Sequence, residues 1–416
     1  MKRIAIVSKF SISKPILAPE RYMYETARLF SDMKITVEFF SISDMTRLSK
    51  VNGAYLQHEF GYRRIKEYGL TLERALDLLY LMLFKSRPMY EDANSRETLL
   101  QQLKKYEPDY IVIWDYNLSK LMDRYKKSYD VSAKLIFLGD SDRIIYDNLD
   151  SIINMLGEKG IGEFFSKRIR NLISRNYLEY NIGYYRKQLE IADALVVPSH
   201  ETVDNISSRY PKFGHKVHAI SPQYVKDNLK VYRRPRKKIK TILFLGSLPF
   251  RPNAEAIDII KYVIAPELPE KRFVIVGIGV PVMRDANIDF IGKVVDLNKV
   301  IRAADLCIAP MISTSGRKTK VFDYFLNGRA VLGTSLALQG YPVKNRHNVL
   351  IEDNINNFAK RIRELESNRA LFERLQKNSF SAIDSYREVK VKNAWTNLFN
   401  EIDNEGGNLK SARSRS

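Results

Sequence analysis

The residues best suited to chemistry lie in a short polar segment between an apolar run and a helical pattern. The apolar run is Leu306 to Pro310, and a polar, glycine-containing loop from Met311 to Lys320 follows it. The helical pattern then begins at Val321 and stops at Gly328, a residue type that commonly ends helices. Three cations stand in or just before the first turn of that helix: Arg317, Lys318 and Lys320.

Positive side chains at a helix start predict an anionic ligand. The helix macrodipole is positive there, so each cation is disfavoured by about 0.3–1 kcal/mol unless negative charge is bound. Free backbone N–H groups at a helix start, with Lys or Arg nearby, are ready phosphate sites. The loop therefore predicts a site for a nucleotide or another phosphorylated ligand. The simpler alternative is an exposed basic turn in water.

The elements that must position this loop are short apolar strands in alternation with helical patterns, and the alternation occurs twice. In the first half, we predict strands at Arg3 to Val7, Ile35 to Ile42, Tyr110 to Trp114, Lys134 to Gly139 and Ala194 to Pro198. In the second half, they are predicted at Thr241 to Gly246, Arg272 to Gly277, Ile288 to Gly292, Leu306 to Pro310, Ala330 to Thr334 and Val349 to Ile351. Such alternation is typical of parallel βαβ units, so the predicted fold class is α/β with two doubly wound, Rossmann-like domains. Ligands of these sheets bind outside the carboxyl ends of the strands.

The domain boundaries follow from the point where this alternation restarts. The basic cluster Arg233 to Lys238 separates the two halves and contains a proline, which is typical of a solvated linker. The residues after Gly406 are small, polar and basic, as in a disordered tail. We predict a first domain over 1–225, a basic linker over 226–240, a second domain over 241–385, a C-terminal helix over 386–404 and a disordered tail over 405–416.

The composition limits the classes of function that are compatible with the sequence. Cys307 is the one cysteine among 416 residues, which excludes a disulfide framework and a multi-cysteine zinc site. No apolar run reaches the roughly 20 residues of a membrane-spanning helix, so we expect a cytoplasmic chain. The net charge of +20 predicts an anionic partner: nucleic acid, a membrane surface or a phosphorylated small molecule. Residues 151–240 hold 18 Lys and Arg against 8 Asp and Glu, a difference of +10 that is half of the total.

The second half resembles the donor domain of the GT-B glycosyltransferases called group 1, or family four, which transfer sugars from nucleotide diphosphate donors with retention. The resemblance is dense from residue 241 to about 366. It is carried by the segments Phe244 to Leu248, Phe250 to Asn253, Phe273 to Gly277, Ile291 to Val294 with Asp296, and Arg302 to Pro310, and by Gly316, Lys318, Lys320, Gly328, Ala330 to Thr334 and Gly340.

This resemblance implies two domains that face a cleft, the first for the acceptor and the second for the nucleotide sugar. It implies a metal-independent, hexosyltransferase-like enzyme without a cofactor, whose acceptor is a glycan or a lipid-linked molecule. The residues expected to stabilise the leaving nucleoside diphosphate are Lys320, Lys318 and Arg251. The residues expected to bind the donor are Gly246, Ser247, Gly292, Lys293, Ser315, Gly316, Arg317, Thr319 and Asp323.

The sequence departs from the family at four positions. Ser315 and Asp323 stand where the family often has two glutamates, so the acid that contacts the sugar is missing while the acid for the ribose hydroxyls is shorter. Ser247 and Pro252 replace the usual Arg and Lys after the first donor strand. Asp323 also lies three residues after Lys320, so an i,i+3 ion pair is the alternative to a donor contact.

Two carboxylates after a strand of the first half form a second candidate site. Asp140 and Asp142 have the D-x-D spacing by which the other glycosyltransferase fold binds a divalent metal. Such a triplet has little specificity, and the carboxyl end of a strand equally suits an acceptor site or a helix cap. We predict an acceptor-side role for both residues and no metal site.

The segment Glu163 to Gln188 interleaves aromatic and basic residues at helical spacing. This pattern suits the surface of an anionic membrane, and it equally suits a helix with one face in the core and a solvated basic side. Lipid-linked acceptors are common in the family, which favours peripheral contact with the inner face of the cell membrane.

Two other function classes are compatible with parts of the sequence. A nucleotide-sugar epimerase of the same architecture would bind the same donor without transfer to an acceptor. A nucleic-acid-binding protein would explain the charge, but no motif of that class is present, so nucleic acid is not an expected partner.

Overall fold

In the computed structural model, the chain forms two seven-stranded sheets, one in each of two units. Unit 1 consists of Met1–Gln223 and Lys392–Ser416, and unit 2 consists of Tyr224–Val391. The structure describes residues 2–8, 18–41, 56–59, 93–129, 131–143, 145–146, 149, 167–226, 238–248, 250–313 and 317–413. None of the described helices is long and apolar enough to cross a bilayer.

Unit 1 is a parallel sheet in the order β3-β2-β1-β4-β5-β6-β7. Its strands are β1 (Arg3–Ser8), β2 (Thr36–Ser41), β3 (Leu56–Glu59), β4 (Tyr110–Trp114), β5 (Lys134–Leu138), β6 (Ala194–Val197) and β7 (Val217–Ala219). Its helices are α1 (Ala18–Asp32), α2 (Ala93–Tyr106), α3 (Ser119–Tyr129), α4 (Lys167–Ile191) and α5 (His200–Arg209). The sequence missed β3 and β7, because neither contains an apolar run.

Unit 2 has the order β10-β11-β9-β8-β12-β13-β14. Its strands are β8 (Thr241–Leu245), β9 (Arg272–Val276), β10 (Val282–Asp285), β11 (Ile288–Gly292), β12 (Leu306–Ala309), β13 (Ala330–Gly333) and β14 (Leu350–Ile351). Its helices are α6 (Arg251–Ile259), extended by a π turn (Ile260–Ile264), then α7 (Leu297–Ala303), α8 (Thr319–Leu326), α9 (Phe358–Ser367) and α10 (Arg369–Asn378). All neighbours are parallel except β10, which pairs antiparallel with β11 as an exposed edge strand that the sequence did not predict.

The apolar strands explain both sheets. The four residues of β12 are fully buried, as are Ile4 to Val7 in β1, because helices cover both faces of each sheet. The predicted fold class, α/β with two doubly wound sheets, is confirmed.

The chain ends in a long helix, α11 (Glu388–Arg413). Trp395 and Phe399 are buried against Phe30 of α1, with ring centroids 4.8 and 5.7 Å from it. Lys2 at the start of the chain forms a 3.0 Å ion pair with Asp403. The helix continues past residue 404, where the sequence predicted its end, as far as Arg413.

The amphipathic segment predicted over Glu163 to Gln188 is helical in its described part, as α4. Its four tyrosines are buried in the core of unit 1: Tyr177, Tyr180, Tyr184 and Tyr185. Arg175 and Arg186 are exposed on the other side. The structure therefore shows the alternative of a core-facing helix with a solvated basic side, and Glu163 to Ser166 lie outside the described residues.

Candidate functional site

The predicted phosphate loop lies at the point where the strand order of unit 2 reverses. β8 and β12 are neighbours in the sheet, and the chain continues from them to opposite sides. In open α/β sheets, ligands bind at the carboxyl ends of strands beside such a point. The loop after β8 leads into α6, and the loop after β12 leads into α8. The beginnings of these two helices therefore form the candidate site.

Glycines at the carboxyl ends of β8, β9 and β11 let three backbones approach closely. The Gly277 N–H donates to the carbonyl oxygen of Gly292 over 3.0 Å, and the Gly246 N–H donates to that of Val276 over 2.8 Å. A Cβ atom at Gly277 would lie 1.9 Å from the carbonyl oxygen of Gly246. Gly292 has a φ of +67°, which favours glycine. The floor of the site is therefore bare backbone.

Lys320 contacts side chains on both sides of the loop that contains Gly246. Its Nζ atom lies 4.2 Å from the centroid of the Phe244 ring and donates a hydrogen bond to Oδ1 of Asn253. Burial, and next the charge of Lys318, hold the pKa of Lys320 well below its usual range. An anion bound here would favour the charged form of the lysine, so the site gains most from a negatively charged ligand.

The cations before α8 are not an exposed basic turn, because Arg317 and Lys318 have only 7% and 6% of their surface exposed. Lys318 is the N-cap residue of α8 and makes no side-chain cap hydrogen bond. Its carbonyl oxygen accepts a 2.7 Å hydrogen bond from the Tyr341 hydroxyl. Thr319, the first residue of α8, is partly buried. The start of the helix is thus held in place by neighbouring side chains.

Arg317 is packed between aromatic rings. Its guanidinium carbon lies 5.3 Å from the ring centroid of Tyr341 and 4.7 Å from that of Tyr386. The Tyr386 hydroxyl in turn donates to the carbonyl oxygen of Gly340 over 3.1 Å. Cation–π contacts of this kind stabilise the loop, so the structure gives Arg317 a packing role beside its predicted donor role.

Arg251, predicted as a catalytic cation, is paired with a carboxylate. Its Nε atom donates to Oε1 of Glu255 over 2.7 Å, and its side chain is 47% exposed. The second oxygen of Glu255 accepts a hydrogen bond from Ser313 in the loop after β12. Glu255 therefore neutralises Arg251 and ties the two loops of the site together, a role that the sequence did not reveal.

Asp323 is buried in α8, with 5% of its surface exposed. The ammonium group of Lys320, three residues earlier, donates to Asn253. The i,i+3 ion pair and the donor contact of Asp323 both stay predictions. Lys293 is exposed just after β11, and Ser247 lies in the loop after β8, where its carbonyl oxygen accepts from Asn253. The predicted Ser315 and Gly316 lie outside the described residues.

The carboxylates of unit 1 differ from each other. Asp142 is buried, and both its oxygens are engaged: Arg209 donates to Oδ1 over 3.2 Å and forms an ion pair with Oδ2 over 3.1 Å, and the Tyr210 hydroxyl donates to Oδ2 over 2.7 Å. These partners already compensate the charge of Asp142, and its acceptor-side role stays a prediction. Asp140 is half-buried, and its Oδ1 accepts a 2.8 Å hydrogen bond from the Ser141 N–H. No group of three or more potential metal ligands occurs in the described ranges.

A residue that the sequence did not single out lies at the carboxyl end of β4. Asp115 has a φ of 114° and a ψ of 115°, a conformation that only glycine adopts readily. Its Oδ1 accepts hydrogen bonds from the backbone N–H and the side-chain amide of Asn117, at 2.9 and 2.7 Å. β4 pairs with β1 where the strand order of unit 1 reverses, so Asp115 occupies the position that corresponds to the donor loop of unit 2.

Comparison with known proteins identifies the domain that holds the glycine floor. Residues 239–368 match the family described as "Glycosyl transferases group 1". Unit 2 carries a group 1 glycosyltransferase domain. The predicted resemblance is confirmed for this domain, and so is the prediction of a transferase. The family-four, retaining subtype stays a prediction.

Solved structures resemble the whole chain around this group 1 glycosyltransferase domain. Sucrose-phosphate synthase from Thermosynechococcus elongatus has a TM-score of 0.67 at 12% identity and covers 97% of this chain and 100% of its own. HepE from Anabaena, in complex with UDP, has a TM-score of 0.60 at 12% identity and covers 96% of this chain and 100% of its own. The lipopolysaccharide outer core galactosyltransferase WaaB has a TM-score of 0.60 at 13% identity and covers 96% of this chain and 99% of its own. None of the three is described as an epimerase, and no curated protein sequence matches the chain.

Proposed function

We propose that the protein transfers a sugar from a nucleoside diphosphate sugar to a glycan or lipid-linked acceptor, with retention. The observation that carries this proposal is Lys320, a partly buried cation at the start of α8 beside a floor of bare backbone. A group 1 glycosyltransferase domain holds this arrangement.

The chemistry needs fixed positive charge rather than a base. When the bond between the sugar anomeric carbon and the phosphate oxygen breaks, negative charge develops on the departing nucleoside diphosphate. Lys320, Lys318 and the backbone N–H groups at the start of α8 would stabilise that charge in a preorganised site. The acceptor hydroxyl oxygen bonds to the same anomeric carbon on the same face, and its proton passes to the leaving phosphate.

The proposal also names the class of donor to test first and the residues that would bind the donor and the acceptor. HepE is described in complex with UDP, so UDP sugars are the first donors to test. Asp323 is the candidate for the ribose hydroxyls, because a carboxylate accepts their hydrogen bonds and α8 holds this one a turn after Lys320. On the acceptor side we propose Asp140 and Asp115, which follow adjacent strands of unit 1.

Peripheral contact with an anionic membrane rests on charge alone. The exposed basic side of α4 and the excess of +10 over residues 151–240 support it, whereas the buried tyrosines of α4 do not. Each basic residue near such a surface contributes about 1 kcal/mol. Vesicles of anionic lipid should therefore bind the protein at low salt and release it at 1 M salt, while neutral vesicles should not bind it. Equal binding to both vesicle types would remove the lipid surface as a partner.

A panel of labelled UDP, GDP, ADP and dTDP sugars, with and without lipid extract, tests the proposal. Release of nucleoside diphosphate that depends on an acceptor supports transfer, whereas conversion to a new nucleotide sugar would mean an epimerase. Activity should survive EDTA, because Lys320 and Lys318 supply the positive charge. A matched control is Lys271→Ala, a buried lysine paired with Glu366 at the start of β9, which should keep its turnover.

A further inference from the structure

Asn253 is a buried polar residue with two specific contacts, and the proposed chemistry does not yet use it. It lies in the first turn of α6, with 6% of its surface exposed. Its Nδ2 atom donates to the carbonyl oxygen of Ser247 over 2.9 Å, and its Oδ1 atom accepts from Nζ of Lys320. The side chain therefore joins the loop after β8 to the start of α8.

These contacts fix which end of the amide faces the lysine. A carbonyl oxygen can only accept, so Nδ2 must point to Ser247, and Oδ1 is left for the ammonium group. The space around the amide depends on Gly246, because a Cβ atom there would lie 3.0 Å from both Cβ and Cγ of Asn253. The same Cβ atom would lie 2.6 Å from the Phe244 ring that supports Lys320 from its other side.

Because Asn253 is neutral, the positive charge of Lys320 remains available to bind an anion. An ammonium group has three N–H donors, and within the described residues Asn253 takes one of them. A carboxylate in the same place would neutralise the cation, as Glu255 does for Arg251. An amide orients the ammonium group without cancelling its charge, and this is the requirement for binding a phosphate.

We propose that Asn253 is a positioning residue that holds the Lys320 ammonium group for the diphosphate of the donor. The proposal rests on the proposed function and adds a residue that does not itself need to touch the substrate. Loss of the amide should weaken diphosphate binding through Lys320, whereas a purely structural asparagine would change binding whether or not the lysine is present.

A double-mutant cycle separates these two roles. The variants are Asn253→Ala, Lys320→Ala and the pair, and the probes are UDP, GDP, ADP, dTDP and inorganic pyrophosphate, with binding measured by calorimetry. We expect Asn253→Ala to weaken binding about tenfold with Lys320 present and less than about twofold in Lys320→Ala. Equal losses in both backgrounds would overturn the proposal.

Two further variants keep the result interpretable. Asn253→Asp should raise the pKa of Lys320 and move the pH at which binding falls to a higher value, because an adjacent carboxylate favours the charged form of the lysine. Asn287→Ala is the matched control: its side-chain amide donates to the carbonyl oxygens of Ala265, Leu268 and Lys271 at the start of β11. It should reduce thermal stability and leave binding unchanged.

The failure of this inference differs from the failure of the proposed function. Binding of a diphosphate that is insensitive to Asn253→Ala would overturn only the positioning role. Binding with no transfer of any sugar would overturn the proposed function and leave the cycle measurable. If the folded protein binds none of the five probes, then Lys320 holds no diphosphate and both proposals fall.

Discussion

The two units have sheets of the same order around their central strands, but the carboxyl ends of these sheets carry opposite chemistry. In unit 2, glycines expose the backbone and Lys320 faces a neutral amide and a ring. In unit 1, the same edge carries carboxylates, and Asp142 is matched by Arg209 and Tyr210. The sheet topology thus determines where a ligand can bind. The partners of each charged group determine whether that group needs a ligand to compensate its charge.

This difference gives a criterion for separating site residues from structural ones. A buried charge with an opposite charge and hydrogen bonds is already compensated, so its removal costs stability. A buried charge among neutral partners is not compensated until a ligand arrives, so its removal costs function. Lys320 meets the second condition and Asp142 meets the first.

The largest effect that would test this contrast is expected for Lys320→Ala. Turnover should fall by about 10²–10³ because the leaving diphosphate loses its nearest fixed cation. Stability should not fall, since partial burial and the charge of Lys318 both disfavour this cation in the folded protein. Steady-state kinetics and urea unfolding of the purified variant measure the two quantities, and near-normal turnover would place the diphosphate elsewhere.

Glycines that follow strands in the two units should respond differently to alanine. Gly277→Ala should lower the free energy of unfolding by about 3 kcal/mol, the upper end of overpacking costs, because its Cβ atom would meet the backbone oxygen of Gly246. Gly139→Ala, at the end of β5, should have little effect because its Cβ atom would lie 3.5 Å from the nearest side chain. Urea unfolding of both variants provides the measurement, and similar losses would contradict the contrast.

Alanine substitutions of Asp142 and Asp140 should also differ, one in stability and the other in acceptor binding. Asp142→Ala should lower the free energy of unfolding by about 1–3 kcal/mol, because Arg209 and the Tyr210 hydroxyl lose their partner. Its turnover per folded molecule should not change. Asp140→Ala should show the reverse, with unchanged unfolding and a raised acceptor KM. An acceptor KM that rises equally in both variants would return Asp142 to the site.

The pH dependence of diphosphate binding follows from the lowered pKa of Lys320. The charged form binds the anion, so affinity should fall as pH rises through this pKa, at a pH below that of an ordinary lysine. A bound anion raises the pKa, so binding above it should take up a proton. Calorimetry with UDP above pH 7, in buffers of different ionisation enthalpy, measures this uptake. Proton release on binding would show that another group dominates.

The smallest effect is expected at Asp115, where unit 1 stores backbone strain. Asp115→Gly should leave the unfolding free energy unchanged or raise it by about 1 kcal/mol, because glycine adopts this conformation without strain. The acceptor KM should nevertheless rise a few-fold. Asp115→Ala keeps the strain and loses the hydrogen bonds of Asn117, so it should be less stable than the glycine variant. Increased stability with an unchanged KM would limit Asp115 to a turn role.

The features that the sequence predicted correctly are formed by residues close together in the chain. The loop after β12 and the start of α8 are contiguous, so the cations, the strand and the helix could be recognised together. Asn253 and Glu255 are far from Lys320 and Ser313 in sequence, and their contacts join α6 to the start of α8 and to the loop after β12. The periodicity of α4 separated its aromatic and basic sides but did not determine that the tyrosines face the core. β10 was missed because its exposed residues show no buried face.

The last helix also has a consequence for how the protein is made. The division between the two units falls inside α11, between Val391 and Lys392, so one continuous helix begins in unit 2 and ends in unit 1. Trp395 and Phe399 cover Phe30, and the Phe399 ring also lies 4.7 Å from that of Tyr110. During translation, these two early aromatic residues leave the ribosome several hundred residues before the helix that covers them. Until unit 2 has been synthesised, Phe30 and Tyr110 therefore lack the side chains that cover them in the folded unit 1.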